Sequence, residues 1–104
     1  MPSRQSDRMW PFQDPPNARA STCWRIIRGE EWIHYVSHEG AGGGWQFQPH
    51  GLAPESEKAV VALGEIVALD PSVRVLADLP AGWCAWRDRK GAPWVRAERS
   101  PEEQ

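Results

Sequence analysis

The sequence predicts an α+β fold: a largely antiparallel sheet of about five strands, with two short helices inserted between strands three and four. Three observations predict it. The runs TCWRIIR (22–28), WIHYVSH (32–38), WQFQ (45–48), WCAWR (83–87) and WVRA (94–97) are rich in the β-branched and aromatic residues that strands favour. Val60, Leu63, Ile66 and Val67 recur at the spacing of three and four that marks an amphipathic helix. The strand runs also sit on either side of this helical block rather than alternating with it, which argues against a parallel α/β sheet.

Taken in order, residues 1–18 carry Pro2, Pro11, Pro15 and Pro16 among polar residues and read as a flexible arm. Trp10 and Phe12 bracket Pro11, and two aromatics in a polar arm predict that it docks on the domain or on a partner. The runs 22–28 and 32–38 flank Gly29-Glu30, a turn pair that suits a two-residue β-hairpin. In such a hairpin Trp24 and Trp32 would face each other, and both of its faces would be apolar, so the sheet would need a second cover. The glycine-rich run 40–44 leads into a third strand at Trp45-Gln46-Phe47-Gln48, where apolar and polar residues alternate.

From Glu55 to Leu69 the pattern favours helix, most firmly over Leu63 to Leu69. Lys58 to Ala62 is open to a strand reading, because Val60 and Val61 are β-branched and Gly64 weakens a continuous helix by about 1 kcal/mol. Asp70-Pro71-Ser72 is a helix start, with Asp70 as cap and Pro71 where its missing N–H costs nothing. Leu79-Pro80 closes that helix. The last two strands follow, giving a single α+β domain over 19–98 and a polar tail over 99–104.

At 104 residues, with 40% hydrophobic and 25% charged residues, the chain suffices for one core without disulfides or metal. Its net charge of −2 gives no global pull toward nucleic acid or anionic lipid. Cys23 and Cys84 lack the CxxC spacing of a zinc or redox site and read as reduced thiols. No stretch has the length and apolarity of a signal peptide or a membrane span, so a cytoplasmic location is expected.

Few residues qualify for chemistry. On a strand, His34 and His38 would lie about 13 Å apart at ~3.3 Å per residue, too far to share one metal ion. His50 has no ligand-spaced neighbour, and Cys84 has no histidine after it in the chain. The run Gly40-Ala41-Gly42-Gly43-Gly44 lacks the Lys and Ser/Thr of a phosphate-binding loop and reads as a hairpin loop. No catalytic residue, metal or cofactor is expected.

Seven tryptophans, at 10, 24, 32, 45, 83, 86 and 94, point instead to packing and contact surface. Trp86 and Trp94 interleave with Arg87, Arg89, Lys90, Arg96 and Arg99, a mixture suited to protein hot spots, to stacking single-stranded bases, or simply to Arg lying over a tryptophan face as local packing. The candidate interaction residues are therefore Trp10, Trp86, Arg87, Arg89 and Trp94.

Three segments also carry a resemblance. Gly44-Trp45-Gln46-Phe47, the run Leu63 to Val73 with its Asp70-Pro71, and the run Leu76 to Trp86 with its Leu79-Pro80-Ala81-Gly82 resemble a small bacterial domain of unknown function, whose members carry SGWRF, I..YDP.I and L..P.G.AFER. Some members of that family are assigned as immunity proteins of polymorphic toxin systems. The acidic residues the family carries before Gly-Trp are Gly42-Gly43 here. The resemblance implies an α+β fold without enzymatic residues and transfers no site. The expected function is a small, non-catalytic, immunity-like protein-binding module, with a protein partner or a second copy of the chain as its occupant and no membrane. Single-stranded nucleic acid is the alternative.

Overall fold

The computed structural model describes residues 10–39, 44–51 and 54–99. The first half of the predicted arm, most of the glycine-rich run and most of the polar tail fall outside these residues. The elements run β1 (Arg19–Cys23), α1 (Trp24–Ile27), β2 (Tyr35–Glu39), β3 (Gly44–Gln48), a 3-10 turn (Glu55–Glu57), β4 (Lys58–Ala62), α2 (Leu63–Leu69), a 3-10 helix (Pro71–Leu76), β5 (Trp83–Trp86) and β6 (Val95–Glu98). Among the described residues six strands form one sheet in the order β4-β1-β3-β2-β5-β6, antiparallel throughout except for the β1-β3 pair.

The α+β class and the mainly antiparallel sheet agree with the sequence, while three details differ. The sheet has six strands, because Lys58–Ala62 pairs residue for residue with Arg19–Cys23. The helical block therefore follows the fourth strand instead of the third. The predicted hairpin of 22–28 with 32–38 does not form: its first half splits into the end of β1 and the helical turn α1, and β1 lies between β4 and β3, with β3 separating it from β2. Cys23 faces Lys58, the first residue of β4. Beyond it the chain has no antiparallel partner among the described residues, and it satisfies its backbone locally instead, with Arg28 N–H donating to the Trp24 carbonyl and Gly29 N–H to that of Ile26.

Strand alternation divides the sheet into two faces. Ala20 pairs with Trp45, Val36 with Phe47 and Ala85, and all five are buried in one core. Onto this face α2 lays Leu63, Ile66 and Val67, and the 3-10 helix lays Val73 and Leu76. The described part of the arm seals the same face, since Phe12 is buried edge-on against the Trp45 ring at 5.1 Å between centroids. Gly64 permits that approach: its N–H donates to the Pro16 carbonyl at 2.8 Å, and a Cβ there would sit 3.2 Å from the same oxygen.

The second face carries Ser21 and Gln46, then Ser37 and Cys84, then Tyr35, Trp86 and Val95, each group brought together by the register. The helices contribute their buried apolar residues to the first face. No helix among the described residues is long and apolar enough to cross a membrane.

Candidate functional site

The second face is where the sheet presents aromatic surface away from the core. Tyr35 on β2 stands directly opposite Trp86 on β5, and Trp86 directly opposite Val95 on β6. Directly opposed residues in antiparallel strands share a face with Cβ atoms about 5 Å apart, so the three side chains form a continuous row across the strands. Tyr35 and Trp86 are half-buried, while Val95 is 49% exposed, as is Val60 (55%) on the other edge strand. At the other end of β2 the same face is polar: Glu39 accepts from Ser37 Oγ at 2.7 Å and from Arg99 Nη1 at 2.8 Å.

Of the five candidate interaction residues, this face holds Trp86 alone. Trp10 packs against the core, its ring 5.4 Å from that of Phe12 and its indole N–H donating to the Asp14 carbonyl at 2.7 Å. Trp94 also packs against the core and lies 4.2 Å from the Arg87 guanidinium. Arg89 is exposed in the turn between β5 and β6.

Arg87, expected at the surface, is 1% exposed. Its Nε donates to the Ile33 carbonyl at 2.9 Å, Nη1 to Ser72 Oγ at 3.0 Å and Nη2 to Asp70 Oδ2 at 2.8 Å, with Trp94 over the guanidinium plane. A buried cation needs this full set of partners, since a charge left unmatched in the interior is strongly destabilising. Asp70 thus does two jobs: it caps the 3-10 helix by accepting from Ser72 N–H at 3.1 Å, and it neutralises Arg87. Burial pushes the Asp70 carboxyl up, but hydrogen bonds from Ser72 and Arg87, with the Arg87 charge, outweigh it and hold the group below the ordinary carboxylate range. This cluster is built to hold β5, the β1-β2 connection and the 3-10 helix together.

The histidines are committed to packing. His34 Nδ1 lies 2.7 Å from the Arg87 carbonyl, and its ring meets His50 at 4.8 Å. His38 Nδ1 lies 2.7 Å from the Leu79 carbonyl, and its ring stacks on Trp45 at 4.0 Å. Both cysteines are buried free thiols, and Cys84 faces Ser37 and Ala97 across the strands. Among the described residues no group of three or more His, Cys, Asp or Glu is placed to hold a metal ion.

Tyr35 and Val95 are the residues that sequence reasoning missed. Their signal is the pairing register, which places two separate runs beside Trp86. Gly40 to Gly43 of the glycine-rich loop lie outside the described residues. No protein-family model, curated protein or solved structure matches this chain.

Proposed function

We propose that the protein is a non-catalytic protein-binding module that works through the second face of its sheet. The observation carrying this reading is the Tyr35-Trp86-Val95 row, which lies on the face opposite the helices. Tyrosine and tryptophan are among the residue types that supply interface hot spots, because they bring large, rigid surface at little entropic cost. The immunity-like part of the reading rests on the resemblance carried by Gly44-Trp45-Gln46-Phe47, Asp70-Pro71 and Leu79-Pro80-Ala81-Gly82. The alternative, single-stranded nucleic acid on the C-terminal hairpin, has less support: the Arg87 cation is enclosed with Asp70, leaving Arg89 and Lys90 as the exposed cations of that turn, beside an exposed Asp88.

The test is a photo-crosslinking amino acid placed at position 95 in one variant and at position 69, an exposed site on α2, in another, each expressed in the native cell. The expected result is a discrete protein adduct from position 95, absent from position 69 and lost when Trp86→Ala is added. Adducts of equal yield from both positions, or none from position 95, would overturn the reading. A toxin-like protein in the adduct supports immunity, and any other identity removes that part alone. Salt-sensitive binding of a single-stranded oligonucleotide, abolished by Arg89→Ala with Lys90→Ala, would shift the assignment to nucleic acid.

A further inference from the structure

β4 and β6 end the sheet, and among the described residues neither has a strand on its outer side. The two edges differ. In an antiparallel ladder alternate residues turn their backbone N–H and C=O groups to the same side. Arg99 N–H donates to the Gly82 carbonyl, which continues the β5-β6 register and leaves Arg96 and Glu98 as the outward residues of β6. Charged residues on an edge strand discourage a further strand. Leu63 N–H donates to the Ala18 carbonyl and continues the β1-β4 register, so Ala59 and Val61 bond to β1 while Lys58, Val60 and Ala62 turn outward. Apart from Lys58 at its start this edge is apolar, and Val60 is 55% exposed.

Two of the outward backbone groups are already committed within the chain. Lys58 N–H donates to the Glu55 carbonyl, and the Ala62 C=O, as N-cap of α2, accepts the first bond of that helix. Left over are the Lys58 carbonyl, both groups of Val60 and the Ala62 N–H. This set is self-complementary about Val60. When a second copy of β4 runs antiparallel with Val60 opposite Val60, the two valines exchange both bonds. Each Ala62 N–H then donates to the second copy's Lys58 carbonyl. The same register sets Lys58 N–H against Ala62 C=O, the two groups that need no partner. A strand of another protein would leave its own N–H and C=O facing these committed groups.

The side chains agree with this register. Val60 meets Val60 on the second face and Ala59 meets Val61, while each Lys58 stands opposite Ala62. The two lysines are about 13 Å apart along the strands at ~3.3 Å per residue, so like charges do not meet. We infer that β4 is a dimerisation edge, at which a second copy of the chain pairs about Val60 and joins the two sheets into one. Paired strands keep equivalent faces on the same side, so the dimer presents two Tyr35-Trp86-Val95 rows on one surface. The edge does not depend on that row, and either assignment can fail alone.

Sedimentation equilibrium of the full chain tests it, with Val60→Lys and Val60→Glu measured separately and mixed. The wild type should form a reversible dimer with a micromolar dissociation constant. Each variant alone should associate about tenfold more weakly or worse, because like charges are directly opposed and the Val60 contact is lost. The equimolar mixture should recover a heterodimer, and circular dichroism of both variants should match the wild type, since position 60 is exposed. Val60→Cys should give a disulfide-linked dimer on mild oxidation, because directly opposed Cα atoms lie about 5.5 Å apart, whereas Leu69→Cys, also exposed, should not. Trp86→Ala should leave self-association unchanged. A wild type that stays monomeric up to about 1 mM, a dimer indifferent to both charged variants, or a mixture no tighter than its components would overturn the assignment.

Discussion

Arg87 shows how little a residue's type says about its place. In the sequence it belongs to a basic stretch beside two tryptophans, the composition of a contact surface. In the fold it is enclosed by Trp94, Asp70, Ser72 and the Ile33 carbonyl. The capping role of Asp70 was legible because a cap is local, involving residues two apart. Its pairing with Arg87 spans 17 residues and was not legible, since only the tertiary structure brings them together. The pair predicts an acid dependence. Asp70 binds its proton less readily in the folded chain than in the unfolded one, so its contribution is complete above the ordinary carboxylate range and is lost as pH falls below about 4. Urea midpoints measured from neutral to acid pH should fall through that window in the wild type and more gently in Asp70→Asn, which should itself be less stable at neutral pH. Equal slopes for the two proteins would show that the pair carries no linked proton.

Elements were legible where local chemistry agrees with the available partners. The third strand, the helix over Leu63–Leu69 and the Asp70-Pro71 start appear where the pattern placed them. The segment Trp24–Ile27 does not, because a strand needs a neighbour and β4 begins opposite Cys23. The same pairing decides Lys58–Ala62, which sequence left open between helix and strand: β1 supplies a complete antiparallel register for it. At the start of β3, Gly44 has a φ of +80°, and a Cβ there would lie 3.1 Å from the Arg19 carbonyl oxygen. Both the conformation and the contact oppose a side chain, so Gly44→Ala should cost about 1–2 kcal/mol in urea denaturation. A neutral effect would mean that β3 can begin later without loss.

For the whole molecule, the consequential feature is that the helices and the arm cover one face of the sheet. The arm joins that cover through Phe12, which is 5% exposed. Phe12→Ala should lower stability by about 3–5 kcal/mol, measured by denaturant unfolding. A loss under about 1 kcal/mol, the level of an ordinary surface substitution, would show that residues 10–18 are not part of the folding unit. Because these layers lie on one side, the other side keeps the aromatic row. Trp86 was legible as a candidate from its residue type and basic neighbours, whereas Tyr35 and Val95 were not: each depends on which strands are adjacent, and β2 beside β5 is a pairing between segments far apart in the chain.

The sequence by itself determined the α+β class, the predominance of strand, the capped restart at Asp70 and a surplus of tryptophan, because each follows from local propensity or composition. The tertiary structure decided how that surplus is used. Trp45 enters the core, Trp10, Trp83 and Trp94 pack against it, and Trp86 joins the opposite face. A side chain's assignment to core or surface is set by strand order and register, which are long-range properties that no window of neighbouring residues contains.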